Sequence, residues 1–221
     1  MSAHVDASDP GLRERKKLRT RARLIDAALD LADRHGYEHT TVEQIAEAVE
    51  VSPRTFARYF PTKDSAILAL LDHLTDAANV ELDRLPTDTP PFEALLHANT
   101  ALLRSGQTIG PMPTARIITL LRIVNGSPTL RKLAVERRTQ HTIEALTSRL
   151  GHVYDERTIQ LISAVFTAVL AAAWGDLGTD AQPLDPSTTD LAQLMDRRLV
   201  QTFSDFADVS RDLIPNTMEC R

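Results

Sequence analysis

The stretch TTVEQIAEAVEVSPRTFARYF, residues 40–60, decides the fold. It opens on two threonines, and either Thr41 with Gln44 or Thr40 with Glu43 supplies the capping-box pattern, in which each side chain satisfies an orphan backbone N–H at a helix start. Val42, Ile45, Ala46 and Val49 follow at helical spacing, so one face of this helix is buried. Glu50 and Val51 interrupt it. Ser52 is a favoured N-cap residue, and Pro53 falls at the first helical position, where its missing N–H leaves nothing unsatisfied. A second short helix is therefore predicted from Pro53 to about Phe60. Phe56 and Phe60 are one turn apart on a face without a polar handle and should pack inward against Ile45, whereas Arg54, Thr55, Arg58 and Tyr59 fall on the other side.

Upstream, Leu24, Ile25, Ala28, Leu29, Leu31 and Ala32 keep helical spacing, and Gly36 is expected to end that helix in the left-handed αL conformation. Downstream, Pro61 stops the second short helix and Thr62 caps a long fourth helix ending before Pro86. Further helices are expected over Pro91–Ser105 with Gly106 as the stop, Thr114–Val124 stopped by Asn125-Gly126, Pro128–Leu150 stopped by Gly151, and a helix capped by Asp155 that runs to Trp174 before Gly175. Residues 176–187 are rich in Gly, Asp, Thr and Pro and read as a loop, followed by a last helix over about 188–209. β-Hairpin signals are nearly absent. The expected fold is all-α with about nine helices: a disordered arm at 1–11, a helix-turn-helix domain at 12–66, a larger helical domain at 67–211 and a tail at 212–221.

The chain has 221 residues, 43% of them apolar, enough for a sizeable core. No apolar run is expected to reach the roughly 18 residues of a membrane helix, and Met1 to Gly11 lacks the apolar region of a secretory signal, so the protein is expected in the cytoplasm, off the membrane. Its single cysteine, Cys220, permits neither an internal disulfide nor a multi-thiol metal site. Neither a metal nor a cofactor is implied. A net charge of −5 argues against a polyanionic partner until its distribution is read. Between Leu12 and Arg23, Arg13, Arg15, Lys16, Lys17, Arg19, Arg21 and Arg23 face only Glu14. One end of the molecule is thereby aimed at a polyanion.

A DNA major groove admits one helix, and a helix opened by Ser-Pro behind a tight turn suits it. Arg54 and Arg58 can reach guanine O6 and N7, and Thr55 a base edge; Thr41, Tyr59 and Lys63 are placed for phosphates, with Pro53 at the helix start and Arg19 and Arg21 in the basic run. An enzymatic reading would rest on His97, His141 or His152, which lie far apart in sequence with no H-E-x-x-H, G-x-S-x-G or Gly-rich phosphate loop.

The combination Gly36-Tyr37, Thr40-Thr41-Val42, Ile45-Ala46, Val51-Ser52, Thr55-Phe56, Tyr59-Phe60 and Lys63 resembles the signature of the TetR (tetracycline repressor) family, over about a quarter of the chain from Arg19 to Leu70. Two positions depart from that pattern: Glu50 stands where the turn often has glycine, and Ala57 replaces a frequent aromatic. The resemblance implies backbone contacts from Thr41, Tyr59 and Lys63, base reading by Pro53, Arg54, Thr55 and Arg58, and a homodimer built from the last two helices that binds palindromic double-stranded operator DNA. Independently, Leu161, Ile162, Ala164, Val165, Phe166, Ala168, Val169, Leu170 and Ala171 to Ala173 leave their helix apolar nearly all round, so it needs cover on more than one side. The resemblance also implies repression relieved by a small-molecule effector. Phe92, His97, Leu103, Arg116, Leu120, Phe166 and Trp174 are candidate lining residues, being bulky or polar on apolar helices. The alternative is an orphan regulator or activator whose interior is filled by side chains.

Overall fold

The computed structural model describes residues 11–103, 108–109, 112–185 and 189–213. The arm before Gly11, Ser105 and Gly106, and the tail with Cys220 lie outside them. The chain divides into two compact units, one ending at Ala69 and the other beginning at Leu70.

In the first unit, α1 (Leu12–His35) is followed by α2 (Val42–Ala48), α3 (Pro53–Tyr59) and the start of α4 (Lys63–Arg84). Leu24, Ile25, Ala28 and Leu29 of α1 are buried with Ile45 and Ala46 of α2 and Phe56 of α3. Gly36 ends α1 at φ 83° and ψ 148°, donating its N–H to the Ala32 carbonyl at 3.0 Å. The positive φ matches expectation, but the ψ is extended, not αL, so the chain leaves the helix directly into the Tyr37 turn. Of the two capping boxes, Thr41 with Gln44 forms: the Gln44 N–H donates to Thr41 Oγ1 at 3.3 Å and the Thr41 N–H to Gln44 Oε1 at 2.9 Å. Ser52 caps α3, accepting from the Thr55 N–H at 3.1 Å, and Thr62 accepts from Ser65 N–H at 3.2 Å at the head of α4.

The second unit contains the rest of α4, α5 (Pro91–Leu103), β1 (Thr108–Ile109), β2 (Met112–Pro113), α6 (Thr114–Gly126), α7 (Pro128–Leu150), α8 (Glu156–Trp174) and α9 (Leu191–Leu213), giving nine helices among the described residues. The antiparallel pair β1–β2, with Ile109 opposite Met112, was not anticipated, because two-residue strands are too short to carry a period-2 pattern. Asn125-Gly126 also differs from its reading as a stop. Asn125 is buried inside α6, and its amide donates to the carbonyls of Trp174 and Leu177 at 2.8 Å each, so tertiary hydrogen bonds hold the helix through Gly126. Pro128 and Asp155 start α7 and α8 where expected. α9 begins three residues later than predicted and runs to Leu213.

α8 packs between α7 and α9. By length and composition it is apolar enough to cross a membrane, which corrects the expectation that no such stretch exists; half of that stretch is buried inside the protein. Arg149 of α7 closes the far end of α4 by donating to the carbonyls of Leu82 and Leu85 at 2.9 and 2.8 Å, the first of which also accepts from the Leu85 N–H at 3.2 Å.

Candidate DNA interface and interior cavity

The turn between α2 and α3 sets the interface. The Val51 N–H reaches back to the Ala46 carbonyl at 3.0 Å and the Glu50 N–H to the Glu47 carbonyl at 2.9 Å, the paired bonds of a Schellman helix end. Glu50 occupies its left-handed position at φ 60°, uncommon for a non-glycine residue. α3 is then anchored from beneath. Phe56 is 1% exposed, Phe60 is buried, and their ring centroids lie 5.8 Å apart.

That anchoring turns Pro53, Arg54 and Arg58 outward into solvent, with Thr55 and Tyr59 half-buried beside them. The Thr55 hydroxyl lies 3.0 Å from that of Ser52, and the Arg58 guanidinium sits 5.4 Å from the Tyr59 ring centroid, over its face. Thr41 and Arg19 are exposed; Arg21 is half-buried, its guanidinium 5.1 Å from the Phe60 ring centroid. Arg13, Glu14, Lys16, Lys17 and Thr20 of α1 line a groove together with Arg58 and Tyr59 of α3. The sequence did not reveal that the basic run and the second short helix share this groove, since nothing in residue spacing sets the angle between the two helices.

Lys63 has a duty within the fold that the sequence did not show. Its ammonium donates to the carbonyls of Tyr37 and Thr40, both at 2.9 Å, and stands 4.3 Å from the Tyr37 ring centroid. It braces the turn after α1, and one of the three donors of an ammonium is left for a phosphate. Beside it the Tyr37 hydroxyl donates to Asp64 Oδ1 at 2.5 Å. Burial, and then the Asp64 carboxylate, push the Tyr37 phenol above its ordinary pKa.

In the second unit, α4 to α9 line two adjoining cavities, of ≈70 and ≈130 Å³, the larger opening to the surface at exposed Arg131, Val135 and Ala171. On the scale of ~10–15 Å³ per water, either could hold several waters. Leu103, Leu120, Phe166 and Trp174 line the first, with leucines and alanines of α4 and α5. The other three candidates lie elsewhere. Phe92 packs on Phe203 and Phe206 of α9 at centroid distances of 6.5 and 6.1 Å, His97 is exposed, and Arg116 is half-buried away from both cavities. Each lies at the end or on the outer side of its helix, a distinction that bulk and polarity do not make.

The residue that sequence reasoning missed is Arg138 of α7, which lines both cavities, its guanidinium 5.5 Å from the Trp174 ring centroid. Desolvation pulls its pKa down to about 10. In sequence it is one of two consecutive arginines, and nothing separates it from Arg137, which forms an ion pair with Asp72 at 2.6 Å. Trp174 is fixed in turn by an indole N–H donated to the Met195 carbonyl at 3.1 Å.

A two-helix unit with this turn, beneath an outward row of arginines, defines a helix-turn-helix protein. Residues 24–70 match the family model described as "Bacterial regulatory proteins, tetR family". The chain is 39% identical over 177 residues to the HTH-type transcriptional regulator TcmR of Streptomyces glaucescens, covering 76% of this chain and 77% of that one. It is 26% identical over 176 residues to RutR of Escherichia coli K12, across 80% and 71% of the two chains. A solved structure assigned to the TetR family, from Syntrophomonas wolfei, shares the fold at a TM-score of 0.55 and 15% identity, covering 85% of this chain and 95% of that one. The chain belongs to the TetR family of helix-turn-helix transcriptional regulators. These relatives are regulators and not enzymes.

Proposed function

We propose that the protein is a cytoplasmic homodimeric repressor that grips a palindromic operator through α3 and releases it when a small molecule enters the second unit. The observation that carries the DNA half is the outward row of Pro53, Arg54 and Arg58, with Thr55 and Tyr59, above buried Phe56 and Phe60. In this reading Arg54 and Arg58 take guanine edges and Thr55 a base edge. Thr41, Tyr59, Arg19, Arg21 and the remaining Lys63 donor hold phosphates, with the basic groove of α1 beside them.

The dimer half is supported by α8. Its buried side faces the core, while Leu161, 63% exposed, aligns with exposed Ala164, Ala168, Ala171 and Ala172 in an apolar stripe whose small residues allow close approach of a second helix. Two-fold symmetry would set two α3 helices about one DNA turn apart. The effector half is supported by the interior space and by α4, a single helix whose early residues belong to the first unit and whose Leu71, Leu74, Thr75 and Ala78 line the cavity. A ligand that prefers one setting of that helix competes with DNA by linkage.

The test is a gel-shift titration with DNA upstream of the protein's own gene. Arg58→Ala should weaken the specific complex by about 1–3 kcal/mol, roughly fivefold to 150-fold, as expected for losing an arginine–guanine pair. Unchanged binding would remove α3 as the reading helix. In sedimentation, Leu161→Glu should convert a dimer of the 24.5 kDa chain to monomer, and a monomeric wild type would remove the dimer.

A further inference from the structure

The larger cavity is lined mainly by apolar groups, among them Leu71, Leu120, Val124, Ala134 and Leu170, and by three polar side chains, Arg131, Arg138 and Thr167; Arg131 is already engaged, donating to the Asn125 carbonyl. Thr167 is 2% exposed, and its hydroxyl has no hydrogen-bond partner. Other buried hydroxyls on helices of this unit turn back to the carbonyl one turn earlier: Thr75 to Leu71 and Thr142 to Arg138 at 3.0 and 2.9 Å, and Ser163 to Ile159 at 2.8 Å. Thr167, on the same helix as Ser163, does not. The Arg138 guanidinium likewise has no hydrogen bond or ion pair among the described residues, only the Trp174 ring. Asp72 of α4 is already paired with Arg137.

A buried hydroxyl without a partner is costly, and a half-buried guanidinium without a protein partner beside an apolar cavity gives up part of its hydration; an apolar replacement at either position would avoid those costs. Both groups are complementary to the same thing, a small anionic group entering from the cavity: the guanidinium supplies a charged two-pronged donor and the hydroxyl a further donor. Apart from Arg131 and the Trp174 ring, the remaining lining is aliphatic and fits a hydrocarbon body. We propose that the cavity binds an amphipathic anion with an aliphatic body and one acidic group, such as a carboxylate, held by Arg138 and Thr167. The proposal rests on the reading that the second unit takes an effector, and it names that effector's class.

Trp174, the only tryptophan in the chain, borders the cavity, so its fluorescence reports binding without DNA. The probes are hexanoate, octanoate and decanoate, each beside its primary amide, titrated into the full-length protein. The best-bound acid should bind at least about tenfold more tightly than its amide, as a charge-assisted hydrogen bond requires. Arg138→Met should bring acid and amide to near parity, and Thr167→Val should lower acid affinity severalfold. Thr167→Val removes an unsatisfied hydroxyl and keeps the shape, so it guards the test should Arg138→Met fail to fold. Equal binding of acid and amide by the wild type, or an acid preference that survives Arg138→Met, overturns the anion assignment while leaving an effector cavity standing. Binding of none of the six probes overturns the assignment as well. Operator binding in the gel-shift assay is scored separately and is untouched by either result.

Discussion

Phe56 in the N-terminal unit and Phe166 in the C-terminal unit are each 1% exposed, yet they are buried in different ways. Phe56 packs against Phe60 in a core where the polar groups are matched: Tyr37 with Asp64, Lys63 with two carbonyls, Thr40 with the carbonyl of Gly36. Phe166 borders a cavity, and all the buried polar atoms without hydrogen-bond partners among the described residues, including Thr167 Oγ1, Asp196 Oδ1 and Arg149 Nε, lie in its unit. Equal burial thus conceals two designs. The first unit holds a single shape for a single surface. The second leaves space and polar atoms unmatched, as the proposed effector site requires.

The same truncation in both places tests that contrast most severely. Phe→Ala in a core costs about 3–5 kcal/mol, and the upper end belongs where few partner atoms are missing beforehand. Phe56→Ala should therefore cost about 4–5 kcal/mol and Phe166→Ala about 3, with urea unfolding followed by far-UV circular dichroism and Trp174 fluorescence reporting the second unit alone. Equal costs would erase the distinction. Lys63→Met removes charged donors from two carbonyls and should destabilise the first unit by about 2–3 kcal/mol, with little change in the Trp174 transition. A shift of both transitions by the same amount would show that the brace is not local.

A pH scan sharpens the same point. Because the folded-state pKa of Tyr37 is raised above the ordinary 10.0, its contribution is complete below pH 10 and is lost as pH rises from there, where the unfolded chain ionises the phenol and the folded one resists. The first unit should lose stability above that pH, and Tyr37→Phe should be less stable at neutral pH but lose less on alkalinisation. Identical alkaline slopes for both proteins would place the sensitivity elsewhere.

The first unit was legible in the sequence because its signals are local: the Thr41 box, Ser52-Pro53, and two phenylalanines one turn apart each act within four residues. Long helices with sharp punctuation, such as Pro128–Leu150, were legible for the same reason. What stayed hidden depends on distance along the chain. Asn125 extends α6 through carbonyls some fifty residues away, and Lys63 finds its partners before α2. The cavity was the least legible part. Which of Arg137 and Arg138 meets an acid and which meets empty space is settled by the rotation of α7 against its neighbours, and consecutive identical residues carry no record of it.

Glu50 offers the finest test, because it is a strained position in the unit otherwise free of mismatch. The left-handed conformation costs a non-glycine residue about 1–2 kcal/mol, whereas glycine there adds about 0.5–1 kcal/mol of backbone entropy to the unfolded chain. The two effects oppose each other and the first is larger, so Glu50→Gly should stabilise the first unit by roughly 0.5 kcal/mol, and Glu50→Ala, which keeps the strain, should not. The turn's hydrogen bonds are made by the backbone of Glu50 and Val51, so the glycine variant should keep α3 in place and leave operator affinity unchanged. A loss of stability in Glu50→Gly would mean that the glutamate side chain contributes more than its conformation costs, and that even the tightly matched unit holds an interaction at this turn beyond its backbone.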